Sequence, residues 1–277
     1  MSDALSFPAM SVVHGDLLAS IKMKQIRVLA LKKSVRVLEV STESDDSVHK
    51  VIKKIASPGQ QGGHQISKWL WAEISIMHHT RHPHVLKMDF AVRCGDWVAI
   101  GMPLCSQGSL DKIIDDLTPD LLRRFIVQTA CALRHLHGRR FIHGDMKTAN
   151  VFVDSSDNAI LGDFGQSRVL PSGQDTVMSW GGTSGYVGPE YTSRGDPVNA
   201  FLMDSYGLGA TMWALVFRRK PSNWDLLHAV ETSPMPDMER SVLANLVQPD
   251  PQHRLTANDV LQFFRTDEKL REIIDRL

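Results

Sequence analysis

Three polar side chains in the middle of the chain stand at a spacing that could do chemistry. Residues 143–150 read HGDMKTAN and residues 163–165 read DFG. Asp145 and Asn150 are five positions apart, and Asp163 follows Asn150 by thirteen. Carboxylates can move protons, and carboxylate and amide oxygens can hold hard cations. Each run alone is a weak signal, because an Asp in a turn is more often a cap or turn former than a catalyst. The joint pattern is strong. Two other groups of reactive residues say less. The run HHTRHPH (78–84) has at first sight the look of a metal site. The cysteines Cys94, Cys105 and Cys131 are too few and scattered for a disulfide framework, and no CxxC pair suggests zinc, so a reducing compartment is expected.

Those residues need elements to position them. The first third reads as strands at 26–31 (IRVLAL), 34–40 (SVRVLEV) and 48–55 (VHKVIKKI), with the polar STESDDS (41–47) as a hairpin loop. SPGQQGGH (57–64) is a glycine-rich break. A helix is expected over 66–80, with Ile66, Leu70, Ile74 and Met77 on one side. HPHVLKMDFAV and DWVAIGMPL read as two further strands. The rest is different. A long helix is expected over 117–140, opened by Thr118 before Pro119 and Asp120. Short strands FIHGD, VFVD and AILGD follow, then a loop, then helices at 202–217, 222–231, 237–247 and 256–264. A β-rich front and a helical back, joined near PLCSQGS (103–109), predict two lobes with a ligand cleft between them.

Length and composition bound the function. A chain of 277 residues is long for one domain and comfortable for two lobes. Lys plus Arg and Asp plus Glu both total 31, so no net field points to nucleic acid or an anionic membrane as partner. With 43% hydrophobic and 22% charged residues the chain is not disordered, collagen-like or a coiled coil. The apolar stretch 207–217 is eleven residues, too short to span a bilayer, and the N-terminus lacks the pattern of a secretory signal. No repeat is visible. An intracellular, cytoplasmic or nuclear, location is expected.

The spacing of HGDMKTAN and DFG resembles the catalytic loop and magnesium loop of the eukaryotic-type protein kinases. Other segments are similar to that family. VIKKI (51–55) resembles its third strand, which gives Lys53 the phosphate-pairing role, and strand alternation favours Lys53 over Lys54. Glu73 falls twenty residues later, where the family keeps that lysine's acidic partner. HPH (82–84) resembles the turn after the helix, which accounts for the histidine run without a metal. GTSGYVGPE (182–190) resembles the end of the activation segment, DSYGLG (204–209) the start of a buried helix, and DPQHRLTA (250–257) the segment whose Arg254 pairs with Glu190. KTANVFVD and LGDFG have some likeness to herpesvirus-type Ser/Thr kinases.

The resemblance covers residues 26–264 and implies an α+β, bilobal protein kinase fold. The implied boundaries are an N-terminal extension at 1–25, an N-lobe at 26–103, a C-lobe at 104–264 and a C-terminal helical tail at 265–277. It implies ATP and Mg²⁺ as cofactors and a protein as substrate, with neither nucleic acid nor membrane as partner and the oligomeric state open. Asp163 and Asn150 would hold magnesium, whose preference is for hard oxygen ligands. Lys53, paired with Glu73, would contact the α- and β-phosphates. Asp145 would orient or accept the substrate hydroxyl proton, Lys147 would steady the γ-phosphate, and Thr183 would shape the substrate groove. Lys147 points to the Ser/Thr type. Ala30, Val37, Val51 and Met102 would border the nucleotide, with main-chain groups of Pro103 and Cys105 meeting adenine. His143, Phe164, Gly165, Glu190, Asp204 and Arg254 are expected to be structural, and Met77 to join the core.

Two departures from the family stand out. Its glycine-rich loop, LGxGxxGxV, should occupy 29–37, but the chain reads LALKKSVRV. Side chains at Ala30, Lys32 and Val35 would keep backbone amides from close approach to phosphate, with Lys32 and Lys33 compensating in part by charge. This leaves open a pseudokinase scaffold, the alternative to an active Ser/Thr kinase. The catalytic loop also reads HGD where HRD is usual, so Gly144 replaces the Arg that clamps a phosphorylated activation loop. Independence from phosphorylation at Ser172, Thr176 and Ser179 is the expectation. Gly188, in place of the Ala of APE, reads as a small, harmless change.

Overall fold

The computed structural model describes residues 10–57, 67–178, 181–191, 195–222 and 226–276. The chain divides into two compact units. One runs to Arg81 and takes in Leu86–Leu104; the other comprises His82–Val85 and Cys105–Leu277.

The N-terminal unit is a twisted sheet of order β1-β5-β6-β4-β3-β2 with one long helix. Its strands are β1 (Ser11–Val13), β2 (Met23–Lys32), β3 (Val35–Thr42), β4 (His49–Ala56), β5 (Phe90–Cys94) and β6 (Trp97–Pro103). Antiparallel registers place Val37 opposite Lys53 and Lys53 opposite Ile100, while Val51 faces both Glu39 and Met102. Strand residues alternate between faces. Leu38, Val40 and Ile52 therefore fall on one face, where they form a core with Leu17, Met23, Val92 and Ala99. Val37, Val51 and Lys53 fall on the other. The helix α2 (Lys68–His79) is opened by Ser67, whose side chain accepts from the Leu70 N–H. It buries Leu70, Ile74, Ile76 and Met77; Ile66 lies outside the described residues, as does most of the glycine-rich break.

Two features of this unit differ from the sequence-based expectation. The stretch before residue 26 is built into the sheet: β1 pairs in parallel with β5, and α1 (Leu17–Ser20), capped by Asp16, buries Leu17. The expected strand HPHVLKMDFAV begins only at Phe90. His82–Val85 is a turn, and His84 and Val85 give their backbone to Leu161 of the C-terminal unit. A backbone committed there cannot also extend the strand.

The C-terminal unit is helical. After β7 (Gly108–Ser109) and α3 (Leu110–Ile113) comes α4 (Pro119–His137), capped by Thr118 and ending at Gly138. Its buried side includes Phe125, Ile126, Thr129, Leu133 and Leu136, and each such apolar side chain contributes about 1.5–3 kcal/mol on burial. The short strands β8 (Phe141–Ile142), β9 (Val151–Val153), β10 (Ala159–Leu161) and β11 (Arg168–Val169) carry the loops between them. β12 (Thr176–Val177) pairs with β13 (Val198–Asn199). The helices α5 (Ala200–Phe217), α6 (Leu226–Glu231), α7 (Asp237–Leu246), α8 (Ala257–Phe264) and α9 (Glu268–Asp275) follow. Among the described residues only α5 has the length and apolarity of a membrane span, and 78% of it is buried inside the fold.

Candidate active site

In the N-terminal unit, Lys53 Nζ lies 2.5 Å from Glu73 Oε1, with side-chain exposures of 12% and 5%. A pair this enclosed needs both members, since one charge alone would be left desolvated. Its rival Lys54 points the other way, with its ammonium 5.6 Å from the centre of the Trp97 ring. Ala30 pairs with Val37, and Val37 with Lys53, so these residues run in a line across the sheet. Met102 pairs with Val51, and Pro103, the last residue of β6, with Lys50.

The expected glycine loop is a closed hairpin. β2 and β3 stay paired up to Lys32 and Val35, with Lys33 and Ser34 alone at the turn. β2 is the free edge of the sheet, and every one of its residues after Met23 is exposed. Cys105 opens the C-terminal unit. Its carbonyl accepts from the Gly108 N–H at 3.1 Å and keeps a second lone pair, and burial pushes its thiol up to about 11.

In the C-terminal unit the 143–150 segment is a dense network. Lys147 Nζ donates to Asp145 Oδ2 at 2.5 Å and to Thr183 Oγ1 at 2.8 Å, and Thr183 Oγ1 donates to Asp145 Oδ1 at 2.8 Å. Asn150 Nδ2 donates to the Asp145 carbonyl at 2.8 Å and to Asp145 Oδ2 at 3.2 Å. With its nitrogen so used, the Asn150 amide presents its oxygen as the remaining ligand atom. The Gly162 N–H donates to the Asn150 carbonyl at 2.9 Å, which ties the catalytic loop to the residue before Asp163. Asp163 is exposed and adopts a left-handed φ of 55°, a conformation that costs a non-glycine residue about 1–2 kcal/mol. Phe164 is fully buried, edge-on to His143 at 5.4 Å, and Gly165 continues the turn.

His143 is fixed by both ring nitrogens. Its Nδ1 accepts from the Asp145 N–H at 3.3 Å, so Nε2 carries the proton and donates to the Gly162 carbonyl at 2.9 Å. Beneath it sits Asp204, whose side chain is fully enclosed. Its carboxylate accepts from the main-chain N–H of His143 at 2.8 Å and of Gly144 at 2.9 Å, and meets His137 Nε2 at 3.0 Å. Gly144 has φ +81°, and a Cβ there would lie 2.3 Å from the Gln166 carbonyl oxygen. An arginine at 144, as in HRD, would strain this backbone and force the Gln166 carbonyl aside. Arg254, buried, grips Glu190 through both terminal nitrogens at 2.6 and 3.0 Å. Gly188 fits beside the Glu190 carboxylate, where a Cβ would lie 2.2 Å from Glu190 Oε2.

Sequence reasoning missed several supports. Thr148 Oγ1 and the Tyr186 hydroxyl meet at 3.1 Å, and burial raises the Tyr186 phenol above its ordinary range. Ser167 Oγ donates to the His143 carbonyl at 2.8 Å. These partners are distant in sequence and have no local signature. The histidine run is dispersed: His79 meets the Ser75 carbonyl and His84 the Ala159 carbonyl. Among the described residues no three His, Cys, Asp or Glu side chains form a metal cage.

The comparisons agree with this geometry. Residues 35–264 match the model of the protein kinase domain. The cell cycle serine/threonine-protein kinase CDC5/MSD2 of Saccharomyces cerevisiae is 29% identical over 180 residues, covering 64% of this chain and 26% of that protein. Serine/threonine-protein kinase Nek1 of Mus musculus is 28% identical over 251 residues, covering 82% of this chain and 20% of that protein. The L-type lectin-domain containing receptor kinase V.5 of Arabidopsis thaliana is 33% identical over 179 residues, covering 61% and 26%. The chain spans about a fifth to a quarter of the length of these relatives. It belongs to the eukaryotic-type protein kinase family.

Proposed function

We propose that the chain transfers the γ-phosphate of ATP to Ser or Thr hydroxyls of protein substrates, with Mg²⁺, and without phosphorylation of its activation loop. The observation that carries this reading is the Asp145 carboxylate, held between Lys147, Thr183 and Asn150. Asp145 orients the substrate hydroxyl and takes its proton as the hydroxyl oxygen bonds to the γ-phosphorus. The bond from that phosphorus to the β-bridging oxygen breaks, and ADP leaves. Lys147 meets charge on the transferred group, and Lys53, held by Glu73, meets charge on the α- and β-phosphates. The Asn150 amide oxygen and the Asp163 carboxylate are hard donors that fit magnesium, which takes few protein ligands beside phosphate. When bound, the ion neutralises phosphate charge.

The scaffold alternative draws no support from the comparisons, and the retained Lys53, Asp145, Asn150 and Asp163 weigh against it. Thiols at all three cysteines suit an intracellular setting. The test is phosphate incorporation from labelled ATP into a generic protein substrate. Asp145→Asn should lower the rate by about 10²–10⁴-fold, the usual worth of a positioned proton acceptor. Equal rates in the two proteins would remove the catalytic assignment.

A further inference from the structure

Residues 170–177, in the activation segment between DFG and GPE, are held in place although Gly144 supplies no arginine to clamp them. Between Leu170 and Val177 the hydrogen bonds converge on one residue, Arg140. Its Nη1 donates to Asp175 Oδ1 at 2.7 Å. Its Nη2 donates to the carbonyls of Pro171 at 2.9 Å and Gln174 at 2.7 Å. Its own carbonyl accepts from the Leu170 N–H at 2.9 Å. The guanidinium lies 4.9 Å from the centre of the Phe201 ring. Arg140 reaches this position with φ +64°, a strained backbone for a side chain of its size.

The stretch it grips leads directly into the fold. The Asp175 carbonyl accepts from the Ala200 N–H at 2.8 Å, at the start of α5. Thr176 and Val177 pair with Asn199 and Val198. Leu170 and Val177 are buried in a cluster with Ile142, Val198 and Met203. An exposed ion pair by itself contributes little, and Arg140 and Asp175 keep side-chain exposures of 32% and 53%. Here, however, a planar fork meets one carboxylate and two carbonyls at once, a geometry that a lysine's point charge cannot reproduce.

We propose that Arg140 is a positioning residue for catalysis: by gripping Asp175, Pro171 and Gln174 it sets the activation segment, with a carboxylate of the chain in place of a phosphate. This rests on the phosphorylation-independent kinase reading above and names the residues responsible for it. On the far side of the segment, Thr183 meets Asp145 and Lys147. A segment loose at 170–177 would lose its hold on Thr183, and the chemical step would slow while nucleotide binding stayed as it was.

The experiment uses the full chain, phosphatase-treated, as wild type, Arg140→Ala, Arg140→Lys and Asp175→Asn. kcat and the KM for ATP are measured beside hydrogen exchange of the amides at 170–177 and in α4. In Arg140→Ala, kcat should fall tenfold or more with the KM for ATP within twofold of wild type. The 170–177 amides should exchange at least tenfold faster while those of α4 do not change. Arg140→Lys should recover less than half of the lost kcat. Wild-type kcat in Arg140→Ala, with or without faster exchange, overturns the proposal. If Arg140→Ala also loosens α4, Asp175→Asn decides, because its side chain is exposed: wild-type exchange and kcat there overturn the proposal. Inactive phosphatase-treated wild type whose 170–177 protection still depends on Arg140 would sink the phosphate-free reading while supporting the grip itself.

Discussion

The loop at 143–150 and the hairpin at 23–42, each given charged groups to meet phosphate in the proposed function, hold those groups in opposite ways. In the loop, Asp145, Lys147 and Asn150 hydrogen-bond to one another, and His143 and Gly144 donate to Asp204 below. In the hairpin, β2 is an exposed edge with Lys32 and Lys33 at its tip, and bulges interrupt its pairing at Gln25/Arg27 and Val28/Ala30. Where the chemistry is proton and phosphoryl transfer, an error of about 1 Å is costly, and the fold spends its buried hydrogen bonds there. For the nucleotide-covering role proposed for the hairpin, charge on flexible stems would substitute in part for backbone shape.

The largest effect that would test this contrast is on stability. Asp204→Ala leaves the His143 and Gly144 N–H groups buried without an acceptor. Each such group costs about 1–3 kcal/mol, so denaturant unfolding should show a loss of about 2–6 kcal/mol. Leu31→Ser on the hairpin should change stability by less than about 0.5 kcal/mol, as surface substitutions do. Similar losses at the two positions would erase the contrast.

A second test puts the family's arginine back. Gly144→Arg must place a Cβ 2.3 Å from the Gln166 carbonyl on a backbone at φ +81°. The expected result is a loss of about 1–3 kcal/mol and lower kinase activity, not a gain of phosphate control. A variant that melts like wild type and becomes responsive to activation-loop phosphorylation would show that the loop is more adaptable than its hydrogen bonds imply.

The same contrast governs what was legible in the sequence. The roles given to Asp145, Asn150, Asp163 and Glu73 came from the likeness of their motifs and spacing to the kinase family, while strand alternation separated Lys53 from Lys54. The 3.6-residue period of α4 and its Thr118 cap were equally plain. The long-range pair of Arg254 with Glu190 was legible through the family likeness, but other contacts between distant residues were not. Asp204 serves amides about sixty residues earlier, Arg140 grips carbonyls about thirty residues later, and β1 pairs with β5 about eighty residues on. HPHVL carried two readings, a strand from its apolar residues and, at HPH, a turn from the family likeness, and the turn is what forms, with the His84 carbonyl accepting from the Leu161 N–H. The close approach of the Glu190 carboxylate to Gly188, set by Arg254, was likewise not visible in the sequence.

The finest test concerns the hairpin itself. Ala30, Lys32 and Val35 stand where the family has glycine, and a Cβ at each keeps the backbone from approaching phosphate closely. Replacing all three with Gly should tighten ATP binding by about three- to tenfold, which corresponds to about 0.7–1.4 kcal/mol. The same change should cost about 1.5–3 kcal/mol of stability, because each of the three glycines in a strand gives up about 0.5–1 kcal/mol. The two signs are opposite, so calorimetric titration with ATP and a melting curve on one sample separate them. If the glycines weaken ATP binding instead, the charge lost at Lys32 outweighs the gain in backbone approach. The hairpin would then be a lysine-based substitute for the glycine loop, and Lys32→Ala alone should reproduce the loss.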